Sequence, residues 1–420
     1  MKTTAIYAAI LLALGGSAFA QTASINQYGA SNTANVAQTG NDAATTATIV
    51  QGTQNDTDGD NGQSNNNQAT INQSSVAGET ATIDQPDEAV GSIATINQSN
   101  ESGSSASVTQ DETTGATAQI NQTGNSVDGS TATTASVDQE GVYGSAATIN
   151  QTGNQGATAS IYQSGYQGGA TINQLNTTLD TASVSQSDNG STATINQTAG
   201  DQNSTASITQ NWGGSNGATI NQTSGDANTA SINQTQSMGS SATISQTNIQ
   251  NSQASVNQSG TANAANVNQN DEGEGEGSGL VASVTQTGSN GVANVTQEEF
   301  SNTATVAQAG SGNTANTFQE GSNNTLNVTQ NGSNGSATVN QGVYDTEASN
   351  NTATIYQDAA SNLNSAEIDQ YGNSNVATIN QYGGDGVTTN VALVQQYASG
   401  DHASIVQAGG GGNQASIVQR

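Results

Sequence analysis

Ala23-Ser24-Ile25-Asn26-Gln27 opens a series that closes with Ala415-Ser416-Ile417-Val418-Gln419. Between them the pattern Ala-x-(Ile/Val)-x-Gln recurs to make 32 units, anchored at Gln27, Gln38, Gln51 and Gln73, through Gln222, Gln234, Gln246 and Gln258, to Gln396, Gln407 and Gln419. The position four before the anchor is Ala in 31 of 32 units, with Leu326 the exception. The position two before it is Ile or Val in 31 of 32, with Thr317 the exception. Of the 31 spacings between anchors, 26 are 11 to 14 residues. The five longer ones follow Gln51, Gln122, Gln269, Gln341 and Gln381, and read as insertions in connecting arcs.

Alternation with a period of two over five residues describes a strand with one buried face. Ala, Ile/Val and Gln point one way, and mostly Thr, Ser and Asn point the other, with Tyr162, Tyr356 and Phe318 as larger variants. Thr, Ile and Val favour strands. The intervening Gly, Asn, Ser and Asp supply turns. The helical spacing i, i+3, i+4, i+7 is missing.

A five-residue strand cannot bury its face alone, but stacked copies can. The expected fold is therefore all-β: a cross-β solenoid in which two units form one strand–arc–strand rung and the rungs build two facing parallel sheets. Thirty-two units give about 16 rungs, or about 77 Å at ~4.8 Å per rung. Stacking places like over like, so the anchor Gln side chains are expected to form amide ladders along the axis. Such ladders answer the cost of burying Gln. Repeats that start soon after the N-terminus and run to the C-terminus, without a polar cap, raise the expectation of open edges and end-to-end polymerisation.

Composition excludes much else. The chain has 420 residues, 32 acidic and two basic side chains, a net charge of -30, one Pro and no Cys. An unordered sequence of that composition would stay unfolded, so residue order must supply the fold. Cys-ligated metals and disulfides are ruled out. Nucleic-acid binding is not expected, because phosphate contacts need Lys and Arg. Met1–Ala20 combines Lys2, the apolar run Ala5–Leu14 and Ala18-Phe19-Ala20, and reads as a secretory signal peptide. Residues 21–420 then form the repeat domain, and no later stretch is apolar enough to span a membrane.

The candidates for chemistry are few. His402 is the single histidine and stands without the partners that catalysis or metal binding requires. Asp84, Asp138 and Asp369 precede anchors on the outward face, far apart and exposed, so a carboxylate pair for glycoside chemistry is not expected. Asp56, Asp58 and Asp60 have the D-x-D-x-D spacing of a calcium loop and are the candidate metal ligands, although Gly59 and Asn67 depart from that loop's pattern. Asp271–Glu276 is a second acidic run and reads as a charged loop. Tyr28, Tyr371, Tyr382 and Tyr397 follow anchors directly and suit packing at strand ends or surface adhesion. The outward residues are Thr, Ser or Asn without regularity, and arc carboxylates are expected to be solvated and to repel neighbours laterally. Neither an enzyme nor a cofactor is expected, calcium excepted.

Some arcs extend the pattern. Gln27–Gln38 reads Q-x-G-x2-N-x-A-x3-Q, with Gly29, Asn32 and Ala34 in place. So do Gln258–Gln269 with Gly260 and Asn263, Gln308–Gln319 with Gly310 and Asn313, and Gln370–Gln381 with Gly372 and Asn375. These residues, assigned to a structural ladder, resemble the curlin repeat of bacterial curli fibres, and looser copies extend the resemblance over 21–420. The resemblance implies a secreted functional amyloid nucleated at the surface of a Gram-negative bacterium, building biofilm matrix and mediating adhesion. It also implies self-association, a nucleator subunit and an outer-membrane secretion pore as partners. The family's Gly-rich export segment is not matched here, and the chain is longer than the family's major subunits. The competing expectation is a monomeric β-solenoid adhesin, or an ice- or ligand-binding surface protein.

Overall fold

The computed structural model describes residues 21–41, 44–52, 64–86, 88–126, 132–271, 277–342, 348–360, 362–383 and 387–420. The signal-peptide reading of 1–20, the candidate calcium ligands Asp56, Asp58 and Asp60, and residues 272–276 of the second acidic run lie outside them. The fold is all-β, 66% strand, without helix among the described residues, and its parallel sheets form a β-solenoid of about 15 turns. This is the architecture that the repeat pattern predicts.

Contacts group the chain into two units, 1–211 and 212–420. In the first, alternate strands go to alternate sheets. Thr22–Gln27, Thr46–Gln51, Thr80–Gln85, Ser105–Asp111, Thr134–Glu140, Thr158–Gln163 and Thr181–Asn189 follow one another in one sheet. Thr33–Thr39, Gln68–Ser74, Ile93–Ser99, Thr117–Thr123, Ala146–Thr152, Gly169–Leu175 and Thr192–Thr198 do so in the other. Below, these are the first and second sheets. A full turn brings the chain back in the same direction, so the pairing is parallel, and it is in register: Ala147 faces Ala170, Ile149 faces Ile172 and Gln151 faces Gln174.

The second unit repeats the scheme. One of its sheets runs from Gly217–Thr223 to Gln414–Gln419 and the other from Thr229–Met238 to His402–Ala408. A short side pair joins Ile249–Gln250 to Gly277–Ser278.

The alternating pattern sets the core. Ile149, Ile172 and Ile195 are fully buried, as are nearly all their counterparts. The two exceptions to the pattern are absorbed locally. Leu326 pairs with Ala304 and Ala353 in register and is fully buried. Thr317 occupies a Val column, and its hydroxyl donates to the Asn294 carbonyl at 3.2 Å, so a polar group is buried with a partner.

Candidate assembly surfaces and side-chain ladders

The anchor glutamines sit at the inward end of each strand and bond rung to rung. In the first sheet Gln27 Nε2 donates to Gln51 Oε1 at 2.7 Å, Gln51 to Gln85 at 2.9 Å, Gln85 to Gln110 at 2.7 Å, and onward to Gln210. In the second, Gln38, Gln73, Gln98, Gln122, Gln151, Gln174 and Gln197 form the matching series. The second unit has its own two, from Gln222 to Gln246 and from Gln234 to Gln258, with Gln269, Gln308, Gln319, Gln370, Gln381 and Gln396 among the later members. The remaining amide hydrogen often crosses to the opposite sheet: Gln151 Nε2 donates to the Thr134 carbonyl at 3.0 Å, and Gln122 Nε2 to that of Ser105 at 3.3 Å. In all these rung-to-rung bonds the donor belongs to the earlier rung. Each glutamine ladder is therefore directional, whereas the backbone bonds beside it run both ways, as with Thr158 N to Asp180 O and Leu179 N to Gln155 O.

The arc asparagines work differently. Most of them clamp backbone rather than bond amide to amide as the glutamines do, although Asn390 Nδ2 donates to Asn364 Oδ1 at 3.0 Å. Asn313 Nδ2 donates to the carbonyls of Ala309 at 2.6 Å and Gly332 at 2.9 Å, while its Oδ1 accepts from Gly335 N at 2.9 Å. Asn263 holds Ser259, Gly288 and Gly291 in the same way. Asn32 holds Tyr28, Ser64 and Asn67. Asn375 N donates to Asn351 Oδ1, and Asn375 Oδ1 accepts from Asp401 N. One side chain thus ties its own arc to the next.

The glycine two residues after the anchor explains the rest of the motif. Gly310 has φ +85, and a Cβ there would strike the carbonyl of Gly332 in the next arc. The obstacle is backbone and cannot rotate away. Gly310→Ala is expected to destabilise the local stack by at least roughly 1–3 kcal/mol, the scale of a strained backbone site. Hydrogen exchange in Thr303–Gln308 and Thr325–Gln330 reads it. Unchanged protection there would show that the arcs separate more easily than their contacts indicate.

The charges depart from expectation. Several arc carboxylates are buried rather than solvated. Glu79 and Asp180 stand immediately before a strand, where Asn302, Asn324 and Asn375 stand elsewhere, and all are buried. Asp180 Oδ1 accepts from Ser204 N at 2.9 Å, and Asp188 Oδ2 from the Ser191 hydroxyl at 2.6 Å. Glu101 occupies the column of Asn125 and accepts from its Nδ2 at 2.9 Å. Burial pushes Glu79 and Glu101 up from the usual 4.5 to about 7, and Glu79 adds to the effect on Glu101.

The outward residues are also more ordered than a unit-by-unit reading suggests. The second sheet of the first unit carries a column Asn72, Asn97, Asn121, Asn150, Asn173, Asn196 in which each amide donates to the next at 2.8–2.9 Å. Beside it runs Thr70, Thr95, Gln119, Thr148, Thr171, Thr194. The first sheet instead gathers acids: Asp84, Asp111, Asp138 and Glu140. Burial, with Glu140 and Asp111 nearby, raises Asp138. Asp369, expected to be exposed, is covered, and accepts from Asn340 Nδ2 at 2.8 Å and Gln395 Nε2 at 3.1 Å.

His402 starts a strand with its side chain exposed. Tyr371 and Tyr397 stack, with ring centroids 4.9 Å apart, and Tyr356 meets Tyr382 at 5.7 Å. Trp212 is 81% exposed. Among the described residues there is no group of three His, Cys, Asp or Glu that could hold a metal, and no helix long and apolar enough to cross a membrane.

Two stretches match the Curlin associated repeat, residues 301–332 and 362–386. No curated protein matches the chain. The first stretch contains the Gln308, Gln319 and Gln330 rungs with Gly310 and Asn313, and the second contains Gln370, Gly372, Asn375 and Gln381. The match thus falls on the amide ladder, the arc clamp and the close-approach glycine, and these describe a structural repeat rather than a known enzyme family. The chain carries the curlin associated repeat in a β-solenoid.

Proposed function

We propose that this chain is a secreted structural subunit that stacks end to end into extracellular, curli-like amyloid fibres. The observation that carries the reading is the directionality of the ladders. In every glutamine pair described above the earlier rung donates and the later rung accepts. The upper edge of any rung therefore complements the lower edge of any other. Backbone groups run both ways between rungs, with Thr158 N donating forward to Asp180 O and Leu179 N donating back to Gln155 O, so each edge offers both donors and acceptors in a fixed register. A surface of this kind templates another copy of itself.

Biofilm matrix, adhesion and a Gram-negative cell surface belong to this proposal through the family, as do a nucleating subunit and an outer-membrane export pore. The competing reading is a monomeric solenoid whose flat Thr/Asn face holds a ligand or orders water, and the regular columns of the second sheet favour it. Thioflavin fluorescence of the purified mature chain separates the two. The fibre reading expects a lag that sonicated fibres of the same chain abolish. A chain that stays monomeric when seeded at micromolar concentration would leave the monomeric reading in its place.

A further inference from the structure

Acidic side chains are not spread evenly over the first unit. On the outward face of its second sheet, the columns before, between and after the inward residues hold no ionisable group from Gln68–Ser74 through Thr192–Thr198. The central columns are Thr70, Thr95, Thr148, Thr171 and Thr194 (with Gln119 among them) and the six-member asparagine ladder. The first sheet of the same unit carries Asp84, Asp111, Asp138 and Glu140 outward. In a chain of net charge -30, a neutral face of this regularity is where two molecules approach with least repulsion.

We propose that this face packs side by side against the same face of a second copy of the chain. The chemistry is self-complementary, because threonine hydroxyls and asparagine amides both donate and accept. Asn97, Asn150 and Asn173 each spend one N–H along the ladder, which leaves the other for a partner. The columns hold no aromatic ring on which a sugar would stack, which favours a second copy over a polysaccharide. Rungs ~4.8 Å apart and strand residues ~3.3 Å apart give the face roughly 600 Å² per copy. Two copies would bury about 1,200 Å², the lower end of a specific interface. One such contact is weak, but it multiplies when copies are aligned in an assembly. The proposal concerns sideways packing, and does not depend on whether solenoids also stack end to end.

The test measures mass per unit length of the assembled chain by dark-field electron microscopy, and the scattering cross-section of whatever remains in solution. Parent chain is compared with Asn97→Asp/Asn150→Asp, with Thr95→Glu/Thr148→Glu, which leaves the asparagine ladder intact, and with Ser107→Asp/Ser136→Asp, which adds the same charge to the first sheet. Circular dichroism confirms the strand content of each. The parent and the first-sheet variant should show double thickness, and both second-sheet variants single thickness. Single thickness in all four, or double thickness in all four, overturns the proposal. So does a parent that is single but is retained on an insoluble neutral polysaccharide and loses this retention in the Thr95→Glu/Thr148→Glu variant, since the face would then belong to the glycan.

Discussion

Gln151→Leu is expected to unpick the stack around its rung while leaving distant strands protected. Gln151 accepts from Gln122 Nε2 at 2.8 Å and donates to Gln174 Oε1 at 2.8 Å, and all three side chains are buried. Leucine fills similar space and answers neither bond. One N–H of Gln122 and the carbonyl of Gln174 are then stranded away from water, at roughly 1–3 kcal/mol each. Protection from hydrogen exchange in Thr117–Thr123 and Gly169–Leu175 should fall by a factor on the order of thirty to ten thousand, as roughly 2–6 kcal/mol implies. Asn150→Leu, one residue away and facing outward, should change it by about tenfold at most. Equal effects from the two would show that the buried amide column carries no special share of the stability.

The second large effect concerns acidity. Glu79 and Glu101 are buried, and Glu101 accepts from Asn125 Nδ2 at 2.9 Å. Burial raises both from 4.5 to about 7 in the folded chain. The unfolded chain releases these protons first. Their contribution to stability is therefore complete below pH 4.5 and is lost as pH rises through about 7. Each group costs the folding constant about tenfold per pH unit across that window. Local protection of Thr80–Gln85 and Ser105–Asp111, corrected for intrinsic exchange, should drop between pH 5 and pH 8. The Glu79→Gln/Glu101→Gln chain should hold its protection across the same range. Parallel profiles for the two chains would mean that the carboxyls reach water.

Strand identity, the parallel sheets and the inward triad were legible because period-two alternation over Ala, Ile/Val and Gln leaves one foldable solution. Leu326 and Thr317 could be read as tolerated exceptions for the same reason. The faces were not legible from consecutive units, because neighbours in sequence lie on different sheets. Reading every second unit separates Thr70/Asn72, Thr95/Asn97 and Thr148/Asn150 from Thr82/Asp84 and Ser136/Asp138, and the neutral and acidic faces appear. The burial of the arc carboxylates is hidden from the sequence for a different reason. Glu79 and Asp180 look like loop acids, yet each occupies the inward corner that asparagine fills elsewhere, and only the stacking of one arc on the next shows that the corner is dry. The recurrence of the arc asparagines suggests a ladder, but Asn313 and Asn263 clamp backbone, because an amide at a turn meets the carbonyls of its own and the next arc.

X-ray diffraction from oriented, seeded assemblies of the mature chain tests the central claim most directly, since stacked rungs must repeat along the growth axis. A meridional reflection at about 4.8 Å with an equatorial one near 10 Å is the expected result. A seeded sample that yields no fibres, or fibres without the meridional 4.8 Å spacing, would contradict assembly by rung-on-rung stacking.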